Sequence, residues 1–176
     1  PDGLHLTVSD TGWGKAAWGK LYGQWMAETC IMVYDFDKFV PCDLLKIMQD
    51  YHVTTFCAPP TIYRFLVKED MASYDLSSLK QCTNAGEPLT PEIMEQFRAV
   101  TGIILREGYG QTETTLTLAT FPWMEVRHGS MGRPSPGYDV VLLDENGQPA
   151  ERGAVGEICI RAQRDNKPVG MFKGYY

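Results

Sequence analysis

The densest run of chemically useful residues is REGYGQTETT at positions 106–115. Gly108 and Gly110 allow the backbone to turn sharply, and between them Tyr109 offers a flat ring against which a purine could lie. The hydroxyls of Thr112 and Thr114, with neighbouring amides, could donate to a phosphate oxygen, and the Glu113 carboxylate could hold a hard cation such as Mg²⁺. Read as chemistry, this is a nucleotide phosphate site. Read as structure alone, it is a tight turn in which Tyr109 packs, Thr112 caps a helix and Glu113 sits in its first turn. A second glycine-bearing turn, NAGEPLTPE at 84–92, could close over the opposite face of the same ring through Gly86 to Pro88. APPTIYR at 58–64 forms a third loop, in which Arg64 reads as structural.

For these loops to meet, the elements between them must be parallel strands joined by crossover helices. The segments TCIMVYD, VTTFC and LKQCTNA are β-rich apolar runs. Each is followed by a helical stripe: Leu44, Ile47, Met48 and Tyr51; then Ile62, Phe65 and Leu66; then a helix punctuated by Thr90 as N-cap, Pro91 at the first position and Gly102 beyond the end. IIL at 103–105 begins a further strand, after which REGYGQTETT reads as loop. Strands alternating with helices of this length predict an α/β fold with a mainly parallel sheet and right-handed crossovers. Loops after consecutive strands then leave the same edge, where ligands bind. Near the start, Trp18, Tyr22 and Trp25 recur at helical spacing among Gly14, Gly19 and Gly23, predicting a short, closely packed helix with core aromatics. Beyond residue 120 the texture changes: YDVVLLD, a turn at Asn146 and Gly147, and VGEICIRA predict a small antiparallel sheet or barrel. The junction is HGSMGRPSPG, which divides the chain into residues 1–127, an adenine- and acyl-binding α/β part, and 128–176, a β-rich part.

Composition narrows the partners. With 16 basic and 22 acidic residues, net charge −6, there is no basic stripe for nucleic acid or an anionic membrane surface. No apolar run reaches the ~18 residues of a membrane span. Five cysteines, at 30, 42, 57, 82 and 159, form no CxxC pair, and their odd number argues against a disulfide framework, so a reducing cytosolic location is expected. Cys57, Cys82 and Cys159 read as small hydrophobes, and His5, His52 and His128 carry no assigned chemistry. Pro1 in place of a methionine, and the aromatic ending MFKGYY, make both ends look cut.

NAGEPLTPE, EGYGQTETT, MGRPSPGYDVVLLDENGQP and VGEICIR, in this order and spacing, resemble the adenylate-forming superfamily of acyl-CoA synthetases, peptide-synthetase adenylation domains and luciferases. SDTGWG and PVGMFKGYY look most like the medium-chain acyl-CoA synthetase branch. The resemblance covers essentially the whole chain. It implies that Gly86, Glu87 and Pro88 line one face of the adenine of ATP or AMP, with Tyr109 on the other and Glu107 and Gly108 near the exocyclic amine. It places Gly110 in the ATP/AMP site, Gln111 and Thr112 by the phosphates, Thr112 on the α-phosphate, Glu113 on Mg²⁺, and Trp13 with Ala85 in the wall of an acyl pocket. The reaction implied joins a small-molecule carboxylic acid to coenzyme A through an acyl-adenylate. It also implies parts that these 176 residues lack: a Ser/Thr/Gly-rich phosphate loop, a ribose-binding aspartate and a lid bearing the adenylation lysine. On that ground the chain alone is expected to form no acyl-CoA. A peptide-synthetase or luciferase-like enzyme, and a non-enzymatic nucleotide-binding module, are the other readings these residues allow.

Overall fold

The computed structural model describes residues 3–162 and 167–176; Pro1 lies outside them. The chain opens with β1 (Leu4–Thr7), a strand that the sequence reading did not anticipate. A π-helical stretch, Lys15–Tyr22, runs into the short helix α1 (Gly23–Met26). Then follow β2 (Cys30–Met32), α2 (Pro41–Asp50), β3 (Thr55–Ala58), α3 (Pro60–Leu66), β4 (Gln81–Ala85) and α4 (Pro91–Thr101). Each of α2, α3 and α4 starts with a proline in its first turn, where a missing N–H costs nothing. α4 stops at Gly102, whose φ of +72° is left-handed and whose N–H donates to the Arg98 carbonyl. Thr90 occupies the N-cap position, but its side chain makes no capping hydrogen bond; its carbonyl accepts from Ile93 and Met94 instead.

The strands lie in the order β2, β1, β3, β4, β5, β6, β7, with β5 (Arg106–Gln111), β6 (Thr115–Ala119) and β7 (Arg133–Pro134) completing the sheet. All pairings up to β4 with β5 are parallel, whereas β5 with β6 and β6 with β7 are antiparallel. The expected α/β sheet is thus present, with an antiparallel edge. A separate antiparallel pair, β8 (Val140–Leu143) and β9 (Glu157–Ile160), follows, and the Gly147 amide donates to the Asp144 carbonyl in the turn that leaves β8.

Two expectations are corrected. REGYGQ is strand, not loop: its backbone pairs with β4 on one side and β6 on the other, so the loop shrinks to the turn between Gln111 and Thr115. TLTLA at 115–119 alternates with period two, a strand signature in plain view. Trp18 and Trp25 are not core residues either; both are exposed, at 39% and 60%. The π-helical winding and three glycines leave that segment docked by one edge rather than buried.

The sheet separates two environments. Alternate residues of its strands, Leu6, Phe56, Ala58 and Cys82, with Leu105 just before β5, join Leu44, Leu45, Met48, Ile62, Tyr63, Leu66, Met94 and Phe97 from α2, α3 and α4 in one apolar core. The intervening residues, His5, Cys57, Gln81, Thr83, Ala85, Arg106 and Gly108, point to the other face, against which lie the segment from Trp13 to Gln24 and, beyond β6, Phe121 and Pro122.

Candidate functional site

On that second face lies a cavity of about 580 Å³, floored by the alternate strand residues and roofed by Trp13, Gly14, Lys15, Trp18 and Gly19. The wall is mostly apolar with a few convergent polar groups, the usual make-up of a small-molecule pocket. Lys15 Nζ donates to the Ala85 carbonyl at 2.6 Å, tying the roof to the turn at Gly86. Burial lowers the Lys15 pKa, opposed by the nearby Cys57 and Glu87. Burial in turn pushes the Cys57 thiol up, against a hydrogen bond to Thr83 and the Lys15 charge, so Cys57 is no activated nucleophile.

His5 is held between Thr55 Oγ1 at 2.7 Å from Nδ1 and Thr7 Oγ1 at 2.6 Å from Nε2. Burial, helped by the Lys20 charge, lowers its pKa from 6.5 to about 4. Below pH 6.5 the unfolded chain takes up a proton that the folded chain refuses, so this stability is whole above pH 6.5 and is lost as pH falls towards 4. Urea unfolding at pH 7 and pH 4.5 is expected to show a loss on the order of 2 kcal/mol that largely disappears in His5→Gln.

At the rim, Ala85, the last residue of β4, pairs with Gly108 of β5, so the turn that begins at Gly86 leaves β4 next to Tyr109. Asn84 Nδ2 donates to Glu107 Oε1 at 3.1 Å, and the Leu89 amide donates to the same oxygen at 3.1 Å, so one carboxylate fastens the 86–89 turn to β5. Glu87 approaches Arg64 at 4.0 Å on the surface. Strand alternation turns the Tyr109 side chain to the face opposite Gly108; Tyr109 does not line the cavity, and neither do Glu87, Pro88 or Glu113. Trp13, Ala85, Gly86, Glu107, Gly108, Gly110, Gln111 and Thr112 do line it. The two turns therefore meet at one rim, with the cavity on one side of β5 and the Tyr109 ring on the other.

The turn after β5 is tightly fixed. The Gln111 amide donates to Thr114 Oγ1 at 3.1 Å, Thr117 Oγ1 donates to the same hydroxyl at 2.8 Å, and Trp18 Nε1 donates to the Thr112 carbonyl at 3.0 Å. Thr114 is thus buried and committed to the turn. Thr115, β-branched, is held at φ +56°, an uncommon conformation that costs on the order of 1–3 kcal/mol and is kept only where the surroundings enforce it. Sequence reasoning missed Lys15, His5, Asn84 and Trp18, each of which acts through a contact far away along the chain. Lys15 directly follows the SDTGWG segment, and its position beside that motif is the one local signal for any of the four.

The model of the AMP-binding enzyme family matches residues 8–176. The chain belongs to this family. Among curated relatives, acyl-coenzyme A synthetase ACSM3, mitochondrial, of Pongo abelii is 43% identical over 175 residues, covering 99% of this chain and 30% of the relative. Acyl-coenzyme A synthetase ACSM4, mitochondrial, of Homo sapiens is 42% identical over 168 residues, with 96% and 29% covered. A crystal structure of a Brucella canis acyl-CoA synthetase superimposes with a TM-score of 0.87 at 30% identity, over 99% of this chain and 32% of that one. The anthranilate CoA ligase in complex with anthranoyl-AMP gives 0.83 at 25% identity, over 90% and 31%. The chain thus spans about 30% of the length of the curated relatives it matches. The expected cytosolic location is overturned by those relatives, which are named as mitochondrial; unpaired thiols report a reducing environment, not a compartment. All five cysteines are free, and no helix among the described residues is long and apolar enough to cross a membrane.

Proposed function

We propose that this chain is part of an AMP-forming acyl-CoA synthetase, to which it contributes the acyl cavity, the adenine ledge and the α-phosphate turn. The carrying observation is that Gly108, Gly110 and Gln111 of β5, with Thr112 after it, line the 580 Å³ cavity while Tyr109 between them does not. A carboxylic acid whose tail fills the cavity would present its carboxylate beside that turn. There it attacks the α-phosphorus of ATP, pyrophosphate departs, and the thiolate of coenzyme A later displaces AMP from the acyl-adenylate. Trp13 and Ala85 bound the tail; Gly86, Glu87 and Pro88 face one side of the adenine and Tyr109 the other, with Glu107 and Gly108 by its amine. Gly110, Gln111 and Thr112 lie along the phosphates, and the Thr112 hydroxyl donates to the α-phosphate. Residues 1–127 make up the adenine- and acyl-binding part in this reading and 128–176 the β-rich part. The names of the relatives extend the reading to a mitochondrial setting for the whole protein.

Glu113 fits Mg²⁺ as that ion is usually held, by one or two carboxylates together with substrate phosphates and water. No cluster of three or more ligating side chains exists among the described residues, so the turn suits an ion that arrives with ATP rather than one in an all-protein cage. Mg²⁺ held there would offset charge on the phosphate oxygens as it builds up.

The test uses the whole protein with ATP, coenzyme A and a panel of acids. Expected are acyl-CoA and AMP in equal amounts with simple carboxylic acids. AMP release with amino acids or luciferin-like acids only would shift the protein to another adenylating class, and no acid-dependent AMP release would remove the enzymatic reading. Thr112→Val is expected to slow acid-dependent ATP–pyrophosphate exchange about 10-fold, the worth of one hydrogen bond to a charged group, at an unchanged melting temperature.

A further inference from the structure

The turn that ends β5 is held from outside by residues far along the chain. The Phe172 amide donates to the Glu113 carbonyl at 2.8 Å, and the Tyr175 hydroxyl donates to Glu113 Oε1. Phe172 and Tyr175 meet edge to face, with ring centres 4.8 Å apart. Gly170, at φ +91°, passes so close that a methyl group there would lie 3.1 Å from Thr115 Oγ1 and 3.3 Å from the Tyr138 hydroxyl, which itself donates to the Thr114 carbonyl. Residues 113, 114 and 115 are therefore each touched by the segments at 138 and 170–175.

Tyr175 stands out within this clasp. It is 79% exposed, so burial of its ring explains little of its placement. Its specific polar contact is the phenol tip, and that tip meets the carboxylate and not a neighbouring backbone group. Among the described residues no cation pairs with Glu113, so the phenol is what fixes the rotation of an otherwise free carboxylate. With Oε1 engaged, Oε2 is left for a metal ion. Hydrogen-bond partners of ligating carboxylates orient them in this manner, and their loss costs about 10–100-fold in metal affinity or activity.

We propose that Tyr175 is a positioning residue that holds the Glu113 carboxylate in the orientation from which it meets the nucleotide-bound cation. This rests on the assignment of Glu113 above. Three forms of the whole protein separate the two ideas: the parent, Tyr175→Phe and Glu113→Ala. Binding of Mn²⁺ in the presence of a non-hydrolysable ATP analogue is followed by electron paramagnetic resonance, with melting temperature and the metal dependence of ATP–pyrophosphate exchange measured alongside. Tyr175→Phe is expected to weaken protein-bound Mn²⁺ about 10-fold at an unchanged melting temperature, and excess Mg²⁺ is expected to restore its exchange rate. Glu113→Ala is expected to lose at least as much affinity, without rescue by Mg²⁺. If Tyr175→Phe binds Mn²⁺ like the parent while Glu113→Ala does not, the positioning role is wrong and the metal assignment stands. If Glu113→Ala binds Mn²⁺ like the parent, the metal assignment itself falls and takes the proposal with it.

Discussion

Tyr63→Ala is expected to lower the unfolding free energy by about 3–5 kcal/mol, the usual cost of emptying a large aromatic site in a core that cannot collapse. Tyr63 is fully buried on α3, and its ring meets Phe56 of β3 at 5.6 Å and Phe97 of α4 at 5.2 Å, both edge to face. Such pairs add to plain area burial. Its hydroxyl donates to the Thr83 carbonyl at 2.9 Å, so the same residue also pins β4. Tyr63→Phe keeps the ring and strands that carbonyl, which predicts a loss of about 1–2 kcal/mol. Urea titrations followed by circular dichroism measure both variants. A loss below about 1.5 kcal/mol in Tyr63→Ala would mean that the core is not organised around this ring. Since the Thr83 side chain lines the cavity, loosening Tyr63 is also expected to weaken ligand binding on the far face of the sheet.

Gly110→Ala carries the other large effect, and its cause is the backbone. A methyl group at Gly110 would sit 1.7 Å from the Thr115 carbonyl oxygen and 3.0 Å from Leu116 Cα, where the register of β5 and β6 shifts between Tyr109 and Gly110. Main-chain atoms paired in a ladder cannot yield, so the hairpin must open. We expect about 3 kcal/mol of destabilisation. A displacement of about 1 Å in the Thr112–Glu113 turn should also lower ATP–pyrophosphate exchange by the whole protein at least 100-fold. Gly147→Ala is the control: φ there is +72° and nothing lies within 4 Å of the added methyl, so only conformational strain of about 1 kcal/mol remains. Equal behaviour of the two alanine variants in thermal unfolding and exchange would dismiss the steric account.

The alternation of strands and helices was legible because hydrophobic periodicity and proline and glycine punctuation act locally. α4, from Pro91 to the left-handed Gly102, is the clearest instance. The convergence of the 84–92 and 106–115 segments followed from topology, and the Ala85 to Gly108 register meets it. β1 was missed although LHLT alternates apolar and polar residues over its four positions. β5 was misread because two glycines imitate a loop when the partner strand is unseen, although TLTLA already alternated. Lys15 with Ala85, Trp18 with Thr112 and Tyr175 with Glu113 join positions 70, 94 and 62 residues apart, a separation no local pattern reports.

The sheet's two faces answer to different demands. On one, close packing among α2, α3 and α4 penalises almost any exchange of side chain. On the other, the cavity floor mixes anchored residues, His5 bonded to Thr55 and Thr7 and Arg106 bonded to the Phe121, Pro122 and Met124 carbonyls, with Ala85, which carries only a methyl group. Under the function proposed above, exchanges at an unanchored floor position such as 85 would refit the chamber to a new acid, while the turn at 86–88, fastened through Glu107, would stay as it was.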